Sequence, residues 1–293
     1  LDLVFRKLVC PIEWFDNPCH PCPIYINCDY GRLFHPKPSA LGDQLRSQQD
    51  SPRPFVIEPP GLDDHHCQQT ERIVFGLMLF GRAIDSLPLF VTTLERLGRD
   101  GLGKNRTPFQ LEEISTVHPR GSQSLFGHGQ RVLQVPKYFH TNEDFSHSIN
   151  KPATSTVDSH ELPARLKIEF RSPLLLKYGS CQDELGRTIP AREVRQSPTF
   201  GVLVRRLRDR LSSLCAFFGQ RWEVDFKLLG ELADEVSTVD SRTVWLTRSR
   251  RSTRTGQSHE ISGLVGWSIY RFPSHEHLQL FLPLLSIGEL IHV

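Results

Sequence analysis

The sequence lacks any apolar run of the length that a membrane-spanning helix needs, and purely apolar stretches such as residues 77–80 have the length of core strands. It has no secretory signal peptide. A large excess of one charge is also absent, because 35 Lys and Arg residues stand against 33 Asp and Glu residues, a net charge of +2. These absences argue against a membrane protein, an exported protein and a binder with a global basic field. They favour a globular protein of the reducing cytoplasm.

Lysine is scarce, with 8 residues against 27 arginines. Arginine grips phosphate with a planar, two-pronged guanidinium and stacks on bases, whereas lysine is a point charge. The bias therefore indicates contact with nucleic acid, although a GC-rich genome produces the same bias. Composition alone leaves both interpretations open.

The order of predicted elements indicates two α+β domains. A chain of 293 residues has the length of two average domains. Its second half reads strand, helix, strand, strand, helix, strand, which is the order of the ferredoxin-like fold. We predict tandem ferredoxin-like domains with antiparallel sheets: an N-terminal domain at 1–140 with a Cys-rich insertion at 10–30, a polar linker at 141–163, and a C-terminal domain at 164–293.

Several element predictions bear on this order. Residues 1–9 and 71–84 are predicted to be strands, and residues 290–293 to begin another. A helix is expected after Ser86, ending at Gly98. Ser86 and Ser274 each follow a glycine-interrupted apolar strand and precede a helix, 188 residues apart, which indicates an internal repeat.

A short glycine-rich turn follows the first repeat copy. Gly101 and Gly103 allow backbone N–H groups to approach a phosphate, and Lys104 and Arg106 supply positive charge. The spacing fits neither of the common nucleotide-binding fingerprints. The turn therefore indicates either an RNA-phosphate contact or a simple helix end with solvated charges.

Clustered arginines in the second half are candidate RNA-binding residues. Arg205 and Arg206 lie on a predicted helix, where phosphate contact and a solvated helix face are equal alternatives. A second cluster crowds a strand end and loop with few acids nearby, which favours RNA contact. Its members are Arg248, Arg250, Arg251 and Arg254.

Four of the seven cysteines lie within 19 residues, in the pattern Cys10-x8-Cys19-x2-Cys22-x5-Cys28. Four thiolates suit tetrahedral Zn²⁺, and a Cys-x2-Cys pair chelates from one turn. The intervening chain is too rich in proline to fold by apolar burial alone. We predict a structural zinc site; an iron–sulfur cluster with the same ligands, or unligated thiols, are the alternatives.

A set of short motifs, in order along the chain, resembles the CRISPR precursor-RNA processing endoribonucleases of the RAMP superfamily. In the first half these are Phe-Gly-Leu-Met-Leu-Phe-Gly at 75–81, Leu-Glu-Arg-Leu-Gly at 94–98 and the turn at 101–106. In the second half they are found at 172–174, 204–207, 263–266, 283–285 and 288–289.

The resemblance implies two RAMP-type ferredoxin-like domains that hold a CRISPR repeat. It also implies cleavage without a metal cofactor, in which the 2′-hydroxyl of the RNA attacks the adjacent phosphate and leaves a 2′,3′-cyclic phosphate. The sequence starts at Leu1 without Met and stops at Val293, before the family's last Gly-rich loop, so we expect a fragment whose C-terminal domain is truncated.

Acid–base cleavage of RNA needs a side chain that titrates near neutral pH, which usually means histidine. The family often uses a histidine after its first strand, helped by Tyr and Lys. His35, with Tyr30 and Lys37, is the first choice here. His20, inside the cysteine cluster, and the pair His65–His66 are the alternatives.

The main functional hypothesis is therefore a prokaryotic, cytoplasmic CRISPR RNA maturation endoribonuclease that binds repeat RNA and its crRNA product. One alternative is a non-catalytic crRNA-binding subunit that assembles with other subunits of a CRISPR effector. Another is a zinc-stabilised ferredoxin-like RNA-binding protein unrelated to CRISPR.

Overall fold

A computed structural model describes residues 1–11, 19, 22–36, 51–58, 60, 72–103, 105–118, 120–127, 133–141, 163–178, 181–182, 188–189, 192–251 and 258–291. The chain forms two compact units. The first contains the described residues of Leu1–Pro60, Arg72–His147 and Ser213–Arg221, and the second those of Ser148–Ser212 and Trp222–Val293. None of the described helices is long and apolar enough to cross a membrane.

The first unit combines three α-helices with two antiparallel strand pairs. The helices are α1 (Asp2–Val9), α2 (Asp29–Phe34) and α3 (Leu87–Asp100), and two 3-10 helices cover Tyr25–Asn27 and Gly81–Ser86. Strand β1 (Phe55–Glu58) pairs with β2 (Gly76–Leu79), and β3 (Ile114–Thr116) pairs with β4 (Gln123–Phe126). Aromatic side chains from α1, α2, β1 and α3 form its core, with Phe5, Tyr30, Phe34, Phe55 and Phe90 all buried.

The prediction of a strand at residues 1–9 is wrong, because Asp2–Val9 is helical. Leu1, Phe5 and Val9 recur every four residues, so a helix places all three on one face. Phe5 is fully buried there and packs on Phe34 and Phe90, with ring centroids 5.1 and 5.2 Å apart. The first helix of this unit thus precedes the cysteine cluster.

The long strand predicted at 71–84 is only four residues in the described part, Gly76–Leu79. It ends because Gly81 has φ +54° and leads into a 3-10 helix. Ser86 does precede α3, but its hydroxyl donates to Asp29 at 3.3 Å instead of capping the helix. The helix also runs past the predicted end at Gly98, and Gly101, with φ +82°, follows its last residue.

The second unit has three long antiparallel strands in the order β10 (Ser237–Arg251), β11 (Ser258–Arg271), β5 (Arg165–Leu174). Helices α4 (Phe200–Phe218) and α5 (Phe226–Asp234) connect β5 to β10, and α6 (His275–Ile291) follows β11; the end of α4, from Ser213, is assigned to the first unit. Two small strand pairs precede α4: β6 (Lys177–Tyr178) with β9 (Arg192–Glu193), and β7 (Cys181–Gln182) with β8 (Thr188–Ile189).

Parallel strands β5 and β10, separated by the intervening β11, give the split β-α-β arrangement of the ferredoxin-like fold predicted for this half. The N-cap serine predicted from the repeat is confirmed at Ser274, whose Oγ accepts a hydrogen bond of 3.1 Å from the backbone of His277. The strand predicted from residue 290 is wrong, since α6 continues to Ile291.

One face of this sheet is covered by helices. Phe200 of α4 packs on Tyr270 of β11 and on Phe281 of α6, at 5.3 and 5.1 Å between ring centroids. The hydroxyl of Tyr270 donates to the carbonyl of Pro198 at 2.9 Å, and burial raises the pKa of Tyr270 to about 12. Because side chains alternate along a strand, Trp267 and Ile269 lie on the opposite face.

Candidate active site and nucleic-acid interface

A chain of hydrogen bonds links α1 to the end of α2. The hydroxyl of Tyr30 donates to Oδ1 of Asp2 at 2.7 Å, and Nε2 of His35 lies 3.2 Å from the same hydroxyl. The single hydroxyl proton is directed to Asp2, so the Tyr30 oxygen accepts from Nε2–H of His35. In a neutral ring, this direction places the N–H on Nε2 and the lone pair on Nδ1.

The packing of α2 fixes this arrangement. The Tyr30 ring is buried and stacks on Phe34, one turn later, at 5.1 Å between centroids. The guanidinium of Arg6 lies 5.4 Å from the centre of the same ring. His35 follows the last residue of α2, and its carbonyl accepts a 2.7 Å bond from Tyr25. The imidazole is exposed to solvent.

Tyr30 stays protonated in this environment. Burial raises its pKa far above the ordinary value of 10.0, and the hydrogen bond to Asp2 and the charge of Asp2 raise it further, while Arg6 opposes the shift. Tyr30 is therefore suited to orient His35, and it is a poor base itself. Two of the predicted catalytic residues are thus in contact. The third, Lys37, and the alternatives His20, His65 and His66 lie outside the described residues.

The four clustered cysteines lie in the same part of the first unit as Tyr30, and Cys19 and Cys28 pack against the core that contains it. The backbone N–H of Cys22 donates to the carbonyl of Cys19 at 3.1 Å, and Cys28 precedes the first residue of α2. Burial raises the pKa of the Cys19 thiol; Arg6 lowers it, and the charges of Cys28, Cys10 and Cys22 raise it. Neither a disulfide among these four nor a group of three potential ligands close enough to hold a metal is present in the described part of the chain.

The face of the C-terminal sheet opposite Phe200 carries exposed cations, one of which, Lys167, is ion-paired with Glu169 at 2.7 Å. Trp267 lies at the centre of this face, with Nζ of Lys167 5.2 Å and the guanidinium carbon of Arg242 5.7 Å from the ring centre. Arg242 pairs with Trp267 across the strands, and the neighbouring strand contributes Lys167. Arg248 lies six residues further along β10, on the same face by strand alternation, and is exposed.

The structure describes only some of the other members of the predicted Arg248 cluster. Arg250 and Arg251 are the last two residues of β10, and Arg254 lies outside the described residues. Sequence reasoning missed Lys167, Arg242 and Trp267. The sequence shows that each of them alternates with apolar residues, but their contact with one another depends on the register of three strands.

The α4 arginines are engaged within the second unit. Arg205 donates to both carboxylate oxygens of Asp234, at 2.7 and 2.6 Å, and to the carbonyl of Gly230 at 3.2 Å. Arg206 donates to the carbonyl of Lys177 at 2.6 Å. The guanidinium of Arg205 thus ties α4 to α5, a structural role that the sequence did not predict.

The turn after α3 is a closed loop. Leu102 and Thr107 exchange backbone hydrogen bonds of 2.8 and 3.0 Å, and a Cβ on Gly101 would lie 2.1 Å from the carbonyl oxygen of Arg106. Glycine is therefore required at Gly101. Arg106 is exposed at the end of this loop, and Lys104 lies outside the described residues.

Comparison with protein families gives two matches that follow one another along the chain. Residues 2–138 match the model of a family named AF_1859_N, described as an N-terminal domain. Residues 168–293 match the model of the CRISPR-associated endoribonuclease Cas6. The C-terminal part of the chain is therefore similar to a CRISPR-associated endoribonuclease.

Solved Cas6 structures resemble the chain at low sequence identity. A product complex of a Thermus thermophilus Cas6 has a TM-score of 0.44 and 13% identity, and covers 86% of this chain and 81% of that chain. The same protein in another structure has a TM-score of 0.38 and 12% identity, covering 86% and 77%. A second Thermus Cas6 product complex has a TM-score of 0.37 and 15% identity, covering 86% and 80%.

No curated protein sequence matches the chain. The TM-scores of these structures are all below 0.5, so the similarity to Cas6 rests on the match of residues 168–293.

Proposed function

We propose that this chain cleaves CRISPR repeat RNA by attack of a 2′-hydroxyl on the adjacent phosphate, with His35 as the general base. The observation that carries the proposal is the hydrogen-bond chain from Asp2 through Tyr30 to the exposed His35. It fixes the imidazole through Nε2 and so presents Nδ1 to the RNA. A base held in one orientation is what in-line attack requires.

The proposed reaction needs no metal ion and no cofactor. Nδ1 of His35 takes the 2′-hydroxyl proton, and the 2′-oxygen forms a bond to phosphorus. The bond from phosphorus to the 5′-oxygen breaks, and that oxygen gains a proton from His35 or from water. The products are a 2′,3′-cyclic phosphate and a 5′-hydroxyl. Lys37, two residues beyond His35, is the predicted source of positive charge for the phosphorane.

The RNA is held, in this proposal, by the basic face of the C-terminal sheet. An aromatic ring flanked by two cations can stack on an unpaired base while the cations bind phosphates. In this proposal Trp267 stacks on the base, and Lys167 and Arg242 bind the phosphates. Exposed Arg248 extends this face. The remaining predicted contacts stay part of the proposal: Lys104, Arg106, Arg206, Arg250, Arg251 and Arg254.

We propose that the chain is divided into an N-terminal domain at 1–140, a linker at 141–163 and a C-terminal domain at 164–293. We also propose that the protein acts in the cytoplasm of a prokaryote. Assembly with other CRISPR effector subunits is a further proposal. It would make the protein a stable crRNA carrier after cleavage.

We also propose that Cys10, Cys19, Cys22 and Cys28 bind a structural Zn²⁺. The support is the spacing of the four cysteines in the sequence and the electrostatic influence of the other three thiols on Cys19, in a segment with four prolines. Purified protein should then contain about one zinc per chain. Less than a half-equivalent of zinc or iron, with Cys22→Ser unfolding like the wild type, would contradict the site.

The function is tested with a 5′-labelled repeat RNA in buffer containing EDTA. The expected result is cleavage at one position, with a 5′-labelled product that poly(A) polymerase extends only after the 2′,3′-cyclic phosphate at its 3′ end has been removed. Binding without cleavage would support the non-catalytic CRISPR subunit instead. Equal binding of repeat and scrambled RNA would support an RNA-binding protein unrelated to CRISPR.

A further inference from the structure

Residues 114–141 form a continuous stretch without a single Asp or Glu. The stretch carries Arg120, Arg131 and Lys137 together with three histidines, so its charge is positive although the whole chain is nearly neutral. In the structure it contains the β3–β4 hairpin and the following segment, residues 133–141. This is the local basic field that a phosphate backbone would approach.

Three rings of this stretch form what we call the ring stack: His118, Tyr138 and His140. The rings of His118 and Tyr138 are stacked, with centroids 5.5 Å apart and planes inclined by 23°. His140 lies against His118 at 4.7 Å between centroids. His118 is buried, whereas Tyr138 is 41% exposed and the next residue, Phe139, is 46% exposed. The stack therefore has a buried centre and accessible outer rings.

The segment that carries Tyr138 is fixed to the hairpin through one side chain. Gln123 of β4 donates from Nε2 to the carbonyl of Val135 at 3.2 Å and accepts from the backbone N–H of Lys137 at 2.8 Å. The backbone N–H of Gln134 adds a 2.7 Å bond to Leu125. Tyr138 is thus presented by an ordered backbone, which reduces the entropy lost when a ligand stacks on it.

The two histidines are fixed as well. Nδ1 of His118 accepts from the backbone N–H of Arg120 at 3.1 Å, and Nε2 of His140 donates to the carbonyl of Val117 at 3.0 Å. These bonds hold the imidazole planes and bring exposed Arg120 to the edge of the ring stack.

We propose that the ring stack binds an unpaired nucleobase of single-stranded RNA, with Arg120 and Lys137 contacting the flanking phosphates. Exposed aromatic rings combined with cations are the features by which proteins bind single strands, and the stretch that carries them has no carboxylate of its own. The inference rests on the proposed function, since it assumes that RNA is the ligand. It adds a second RNA contact, in the first unit, to the sheet face around Trp267.

The test uses the full chain and a repeat RNA with 2-aminopurine placed in turn at each single-stranded position. Tyr138→Ala should weaken binding roughly tenfold or more, because stacking of one base has an effect of that order. It should also abolish quenching of 2-aminopurine at one position. Tyr138→Phe should retain both properties. Tyr178→Ala, which removes a 46% exposed tyrosine outside the ring stack, is the matched control.

The outcomes separate this inference from the proposed function. If the wild type cleaves repeat RNA while Tyr138→Ala binds and quenches as the wild type does, the ring stack is not an RNA site and the inference is overturned. If Tyr138→Ala weakens binding but the wild type never cleaves, the ring stack stands and the nuclease proposal fails. If the ring stack instead captures a phosphopeptide and no RNA, the inference is wrong.

Discussion

The hydroxyl of Tyr30 lies 3.2 Å from Nε2 of His35 and donates its own proton to Asp2. A residue at the start of α1 thereby sets the orientation of a histidine that follows α2. Tyr30 is buried among aromatic rings, whereas His35 is exposed, so a rigid interior group holds a solvent-accessible one. The arrangement accounts for how a surface histidine can act as a directed base.

Tyr30→Phe removes the hydroxyl while the ring keeps its packing on Phe34. His35 then loses its hydrogen-bond partner at Nε2, and we expect cleavage to slow by about one to two orders of magnitude, a part of the whole effect of a general base. Repeat-RNA affinity should not change. Single-turnover cleavage and filter binding measure the two effects, with Tyr178→Phe as the control. An equal loss in both assays would indicate misfolding instead of lost orientation.

Alkaline pH should destabilise the wild type more than Tyr30→Phe. Burial and Asp2 raise the pKa of Tyr30 above its ordinary value of 10.0, so folding favours the protonated phenol. Its contribution to stability is complete below pH 10 and is lost as the pH rises toward the raised pKa. Urea unfolding between pH 8 and 11 tests this. Parallel losses of unfolding free energy in the two proteins would contradict the assignment.

Binding of RNA to the C-terminal sheet should depend on Trp267 and its flanking cations. Arg242→Gln removes one phosphate contact, so the slope of log affinity against log salt should fall by about 0.7. Trp267→Ala should weaken binding with little change in slope. Lys227→Gln, on α5 with an 86% exposed side chain, is the control for lost charge. Slopes equal to the wild type in Arg242→Gln would exclude Arg242 from the interface.

Arg205→Ala should affect stability rather than RNA affinity. Its guanidinium is bound to Asp234 and Gly230, and the ion pair is partly exposed, so we expect a loss of about 1 kcal/mol or less. Urea unfolding should detect this loss, and the salt slope of binding should equal that of the wild type. A reduced slope would return Arg205 to the RNA-binding set.

Local patterns in the sequence predicted the parts of the fold that depend on local periodicity. The helix beginning near residue 200 and the strands of the C-terminal sheet were identified from apolar spacing. The sequence did not predict the short helix α1, because the apolar pattern of nine residues fits a strand nearly as well as a helix. The packing of Phe5 on Phe34 and Phe90, which favours the helix, is visible only in the structure.

The candidate site shows the same difference: contacts between residues close in sequence could be predicted, and contacts between distant residues could not. Tyr30 and His35, five residues apart around one short helix, could be grouped from the sequence. The contact with Asp2 joins residues 28 positions apart, and the grouping of Lys167, Arg242 and Trp267 needs strands brought together from distant parts of the chain. Neither arrangement has a local signal, because both arise from tertiary packing.

His35→Ala tests the central claim most directly, with His275→Ala, an exposed histidine on α6, as the control. Single-turnover cleavage of labelled repeat RNA in EDTA should fall by at least about a hundredfold in His35→Ala, since general acid–base catalysis contributes that much or more. Binding of the same RNA should remain within twofold of the wild type, and His275→Ala should cleave normally. Full cleavage by His35→Ala would contradict the account.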